Sequence, residues 1–148
     1  NYIGKPWLTQ KWTRAICDIA YGTGPWGLGG NEDLGQMSAW YVMAAIGLHP
    51  VCPGDGIYQI TSPVFDEVTL KLDPTYASGD TFKIVAKKNS PENIYIQSAT
   101  LNNQPLKRCW LAHTEVAAGG TLEIELGPEP NPDWGSPPPG SNIPPAHQ

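Results

Sequence analysis

The sequence predicts an α+β chain: two helices, a small antiparallel β-sandwich domain, and a proline-rich tail. Three observations carry this expectation. A single apolar stripe at helical spacing runs through the first twenty residues, and a nearly all-apolar run follows over 34–46. Near Pro50 the hydrophobic period then changes from 3.6 to 2. These features divide the chain at 1–50, 51–127 and 128–148.

In the first helix Trp12, Ala15, Ile16, Ile19 and Ala20 fall on one face. Thr9 is read as its N-cap, and Gly22 in "YGTGPWGLGG" stops it. The second helix is expected from Leu34 to Ile46, with Gly47 as its C-terminal glycine. Met37, Trp40, Tyr41, Ala44, Ala45 and Leu48 form one stripe, and Ala39, Val42, Met43 and Ile46 make the opposite side apolar too. A helix apolar all round is buried on every side. One small sandwich face does not cover it. The missing neighbours are expected from another chain or from residues absent here, which makes the chain the C-terminal part of a longer protein. "NYIGKPWLTQ", which does not begin with Met, reads as the middle of something.

Beyond "HPVCPGDG", short runs rich in β-branched and aromatic residues replace the helical pattern: "GIYQITSP", "EVTLKLD", "TFKIVAK", "NIYIQSAT" and "TLEIEL". Val68, Leu70 and Leu72 alternate with polar residues, as do Phe82, Ile84 and Ala86, and Leu122, Ile124 and Leu126. Their spacing, with Gly, Pro, Asn and Asp between them, is that of an antiparallel sandwich. "LNNQPL" is a tight turn between two strands. From Gly127 onward the chain holds half of its sixteen prolines. Such a segment builds no core and is expected to be extended, draped over the surface or disordered.

Bulk properties narrow the function. At 148 residues and net charge -5, nucleic acid and anionic membranes are poor partners. No apolar run approaches the roughly 20 residues of a membrane span. Cys17, Cys52 and Cys109 lack metal spacing, which leaves either one disulfide or three free thiols. Six Trp and six Tyr suit sugar rings as well as core packing.

The chemistry concentrates in "GGNEDLGQMSAWYV", where Glu32 and Asp33 sit in a Gly-rich turn before the apolar helix. Carboxylates at a helix N-terminus meet unpaired N–H groups and the positive end of the dipole, which is one reading. The other is a catalytic carboxylate. Adjacent carboxylates repel unless something compensates, glycines at 29, 30 and 35 let backbone approach a ligand, and a buried helix holds the turn rigid. Gln36 and Ser38 offer hydrogen bonds to a sugar, to ordered water or to the helix itself, and Trp26 offers a face to a sugar ring. His49, at the helix end, suits the negative dipole as a partly protonated imidazole. His113 and His147 have no companion ligands nearby. No phosphate loop, Ser-His-Asp arrangement or zinc spacing is present.

"NYIGKPWLTQ", "GNEDLGQMSAWYV", "HPVCPGDGIYQITSPVFDEVTL", "NSPENIYIQSATLN" and "GGTLEIELGPEPN", in this order over residues 1–134, resemble the C-terminal portion of glycoside hydrolase family 92. Members of that family are mostly bacterial, calcium-dependent exo-α-mannosidases that invert the anomeric carbon. The resemblance implies that the two helices are the last of a catalytic (α/α)6 barrel. It also implies that Asp33 is the general base, with Glu32 assisting it, binding sugar hydroxyls or capping the helix. Asn31, which is Asp in many members, Gln36 and Trp26 then face the substrate.

An inverting enzyme needs its base about 6.5–9.5 Å from a carboxylic acid, and the family's acid lies upstream of every residue here. The isolated chain is therefore expected to be inactive without the missing N-terminal part of the same protein. The resemblance further implies Ca2+ in the complete enzyme, with "GNED" offering oxygens but no assignable ligand set. It implies a substrate with terminal mannose on mannose-rich glycans, with an α-1,2 linkage expected, and a secreted or periplasmic location. Two other classes stand beside this one. A non-catalytic carbohydrate-binding β-sandwich module would bind mannosides alone, and a structural domain would only close a barrel.

Overall fold

Proline sets the first boundary. In the computed structural model, which describes residues 1–135, helix α1 spans Pro6–Ile19 with Lys5 as N-cap. Pro suits a first helical position because its missing N–H has no partner there in any case. The expected N-cap, Thr9, lies inside the helix instead, where its hydroxyl accepts from the Asn1 amine at 2.8 Å. Helix α2 spans Gln36–Ile46, two residues shorter than expected at its start. It closes on Gly47, whose φ of 99° is left-handed.

Within this chain the apolar stripe of α1 is not the face that packs, and α2, whose covering neighbours were expected from outside these residues, is largely uncovered. The polar face of α1 is the buried one, with Gln10, Thr13, Arg14 and Cys17 inside, while Trp12, Ile16 and Ile19 are exposed. In α2 only Ala44 and Ala45 are buried, and Val42 is exposed. Hydrogen bonding explains why the polar face of α1 packs. Gln10 Oε1 accepts from the Ile96 N–H at 2.9 Å. The Arg14 guanidinium donates to the Pro63 carbonyl, to Asn89 Oδ1 at 2.8 Å and to the Ser90 carbonyl at 3.2 Å. Buried polar groups are tolerated when they find such partners.

After α2 come β1 (Leu48–His49), a 3-10 turn (Pro53–Asp55), β2 (Ile57–Ile60), β3 (Glu67–Lys71), β4 (Thr81–Lys87), β5 (Tyr95–Leu101), β6 (Gln104–Pro105), β7 (Trp110–Ala112), α3 (His113–Ala117) and β8 (Gly120–Gly127). Strands β1, β2 and β7 form one antiparallel sheet, and β3-β4-β8-β5-β6 form a second. The second sheet is mixed and not purely antiparallel, because β4 and β8 run parallel. Alternation reveals which face of a strand is buried but nothing about its direction, and a parallel neighbour needs only a long crossover. The crossover here is β5 to α3. "LNNQPL" makes the expected tight turn, with Asn102 and Asn103 at φ 51° and 64°.

One core serves both sheets. Leu48, Ile60 and Leu111 from the first meet Phe82, Ile84, Ile96, Leu122, Ile124 and Leu126 from the second. The beginning of the tail joins it, contrary to the expectation that no tail residue would. Trp134 is 6% exposed within this core, and its indole donates to the Leu106 carbonyl at 3.0 Å. Gln97 pins the approach by donating to the Glu129 carbonyl at 2.8 Å and accepting from Asn131 Nδ2 at 2.8 Å. The rest of the expected tail, 136–148, lies outside the described residues.

Trp134→Ala should therefore lower unfolding stability by about 3–5 kcal/mol, the usual cost of emptying a buried aromatic site. Urea denaturation followed by far-UV circular dichroism measures it. A loss below about 0.5 kcal/mol, ordinary for a surface position, would place Trp134 outside the core.

Candidate active site

The acidic turn is built on unusual backbone. Asp33, Leu34 and Gly35 have φ of 47°, 62° and 98° in succession. Glycine takes such a conformation freely, but Asp and Leu do so at about 1–3 kcal/mol each. This run delays α2 to Gln36. It also turns the side chain of Leu34 fully into solvent.

Glu32 and Asp33 are used differently although they are adjacent. The Glu32 carbonyl accepts from the Met37 N–H at 3.3 Å, and its Oε1 accepts from the Ser38 N–H at 3.3 Å. Of the roles open to Glu32, the helix-capping one is thus formed, from a position before the N-cap residue Gly35. Its Oε2 is shielded from solvent with no partner among the described residues. Asp33 is exposed and makes no hydrogen bond or ion pair with them. A carboxylate so held is open to an incoming water or hydroxyl.

The other sequence-derived site residues make no hydrogen bond to the Glu32 or Asp33 side chains among the described residues. Asn31 and Gln36 are exposed, one inside the turn and one opening α2. Trp26 is 93% exposed. It stands on a loop closed by a bridge between Tyr21 and Leu28 and by the Gly22 N–H donating to the Gly27 carbonyl at 2.8 Å. Among the described residues no three His, Cys, Asp or Glu side chains converge to hold a metal. Calcium needs six to eight oxygens, so the turn alone does not make its site.

Tyr21 is the residue that sequence reasoning passed over. Its ring stacks on Trp40 at 5.6 Å and tilts against Tyr41 at 4.9 Å, and its hydroxyl donates to the Met37 carbonyl at 3.0 Å. It thereby ties the Trp26 loop to the first turn of α2. The available signal was an aromatic residue standing directly before the Gly that ends the first helix. His49 also departs from expectation. It leans on Trp40 at 5.8 Å, and burial pushes its pKa below the ordinary histidine value, so it favours the neutral form.

The chain matches the model of the glycosyl hydrolase family 92 catalytic domain over residues 1–128. It is similar to an inverting family 92 mannosidase of Bacteroides thetaiotaomicron VPI-5482, with 43% identity and a TM-score of 0.83 over 92% of this chain and 18% of that one. A family 92 α-mannosidase from Bacteroides thetaiotaomicron in complex with mannoimidazole has 34% identity and a TM-score of 0.84, covering 95% of this chain and 19% of that one. An uncharacterized secreted glycosidase of Arthroderma benhamiae is 36% identical over 136 residues, which are 92% of this chain and 17% of that protein. The chain thus spans less than a fifth of the length of each of these relatives. None of its described helices is long and apolar enough to cross a membrane.

The neutral His49 gives a pH dependence. Unfolded histidine takes up a proton near pH 6.5, whereas the half-buried His49 ring does so only at lower pH. Between these two values the unfolded state binds more protons, so stability falls as pH drops below about 6.5 and levels off beneath the folded pKa. Urea midpoints across pH 4.5–8 should show this loss in the native chain and a shallower one in His49→Phe. Identical profiles would mean that His49 protonates as freely in the fold as outside it.

Proposed function

Because the chain belongs to glycosyl hydrolase family 92, we propose that it supplies the general-base carboxylate of an inverting exo-α-mannosidase several times its length. The observation that carries this reading is Asp33, exposed and unengaged on a left-handed backbone while its neighbour Glu32 is bonded to the helix. Water attacks an anomeric carbon effectively only when a base accepts its proton as the new bond forms. In an inverting enzyme that base stands on the face opposite the leaving group, and an acid on the other side protonates the departing oxygen. Asp33 is the base in this proposal, and the acid comes from outside this chain. Trp26 offers its exposed face to the sugar ring, and Asn31 and Gln36 offer amides to hydroxyls.

The uncovered apolar sides of α1 and α2 support the same reading. Trp12, Ile16, Ile19 and Val42 present an exposed apolar surface of a kind that marks an interaction site. In the proposal the remainder of a family-length protein covers it as the other helices of an (α/α)6 barrel. The substrate is terminal mannose on a mannose-rich glycan with an α-1,2 linkage, met in a secreted or periplasmic setting. Calcium belongs to that complete protein, and oxygens beyond this chain complete its ligand set.

In the family-length protein, Asp33→Asn should lower kcat about a hundred- to ten-thousand-fold, the usual worth of a positioned base, with KM changed less. Glu32→Gln keeps an oxygen for the Ser38 N–H and should retain more than about a tenth of kcat. Steady-state turnover of an aryl α-mannoside measures both. The reverse order, with Glu32→Gln nearly dead and Asp33→Asn active, would move the base to Glu32.

A further inference from the structure

The Asp33 carboxylate makes no hydrogen bond or ion pair with the described residues, so backbone alone decides where it points. That backbone is a left-handed run from Asp33 to Gly35, a conformation that Asp and Leu keep only where their surroundings impose it. Helix α2 supplies little of this restraint. Its N-cap, Gly35, has no side chain to bond the first turn, and that turn holds no acidic residue. Glu32 closes the turn instead, accepting from the Met37 and Ser38 N–H groups at 3.3 Å each, beyond the usual range of about 2.7–3.2 Å. Both bonds stay inside the segment 32–38, so neither fixes it against the rest of the fold.

The external tie comes from Tyr21. Its hydroxyl donates to the Met37 carbonyl at 3.0 Å across sixteen residues of chain. Among the described residues no other hydrogen bond reaches 31–38 from outside the turn and α2. The ring that carries this hydroxyl is itself clamped, stacked on Trp40 at 5.6 Å and tilted on Tyr41 at 4.9 Å. A donor held in this way loses little freedom when it bonds. Desolvation, with smaller contributions from Cys17 and Glu32, keeps the Tyr21 pKa above the ordinary tyrosine value, so the hydroxyl stays protonated at neutral pH.

We infer that the Tyr21 hydroxyl is a positioning group for the proposed reaction, fixing through the Met37 carbonyl the turn that aims Asp33 at its water. The inference rests on Asp33 as the general base. It gives Tyr21 no contact with substrate, and small misplacements of a reacting group are costly, about a hundredfold for 1 Å. Tyr21→Phe keeps the ring and both aromatic neighbours, so circular dichroism of a family-length protein should be unchanged. Its kcat on an aryl α-mannoside should fall at least about fivefold, with KM changed less than about twofold. The same substitution is then made in Asp33→Ala, assayed with azide, a nucleophile that needs no base. With no carboxylate left to aim, Tyr21→Phe should leave the azide-supported turnover within about twofold, as expected when one residue acts only through another. A smaller loss of kcat, a KM that rises as much as kcat falls, or an equal loss of azide-supported turnover would overturn the inference. So would a changed circular dichroism spectrum, which would make the hydroxyl a requirement of the fold. An inactive Asp33→Asn beside a fully active Tyr21→Phe overturns this inference alone. An Asp33→Asn that keeps its turnover removes the base and this inference together.

Discussion

A guanidinium buried on the underside of α1 is the constraint on which the rest of this structure depends. Arg14 is turned inward with no carboxylate among its hydrogen-bond partners, and oxygens from Pro63, Asn89 and Ser90 receive its protons. Asn89 in turn donates to the Val64 carbonyl at 3.0 Å and to Asp66 Oδ1 at 3.1 Å, so one polar network spans the helix and two β connections. A buried charge without partners costs several kcal/mol; these bonds satisfy Nη1 and Nη2, while Nε has no partner among the described residues, and they form only while α1 keeps its polar side down. The apolar stripe then has to point outward. The fold thus commits the chain to an exposed hydrophobic surface of the kind that marks an interaction site.

The acidic turn follows from the same seating. With α1 fixed, its end places Tyr21 against Trp40 and Tyr41, and the Tyr21 hydroxyl holds the first turn of α2. Glu32 bonds that turn from the other side. The left-handed run at 33–35 lies between these two anchors. Strain of this kind persists where the surroundings over-determine it, and it tends to concentrate at functional sites. Here it leaves one of two adjacent carboxylates committed to the backbone and the other open.

Much of this architecture was legible because pattern and packing agree. Gly47 ends α2 in the left-handed conformation that its position demands, and Phe82, Ile84 and Ala86 are buried as their alternation indicates. What stayed hidden has identifiable causes. Strands such as β1, β6 and β7 hold two or three residues, too few to carry a period. The parallel pairing of β4 with β8 leaves no trace in alternation. Periodicity reports an apolar stripe on α1 but not which neighbour covers it, and within this chain the opposite, polar face is the one that packs. Trp134 was lost in the general expectation for proline-rich segments, although a lone large aromatic in such a stretch is itself a signal of anchoring. The acidic pair was visible, but its division of labour depends on φ angles that no residue pattern encodes.

The central claim is that Asp33 delivers water to the anomeric carbon on the face opposite the leaving group. The most direct measurement is chemical rescue in a family-length protein carrying Asp33→Ala, assayed on an aryl α-mannoside with added sodium azide. Azide is already anionic and needs no base, and the shortened side chain leaves it room to attack from the side that Asp33 serves. The account predicts that turnover rises with azide concentration and that NMR identifies the product as β-mannosyl azide. A variant that azide does not rescue, or whose product is α-mannosyl azide, would contradict it.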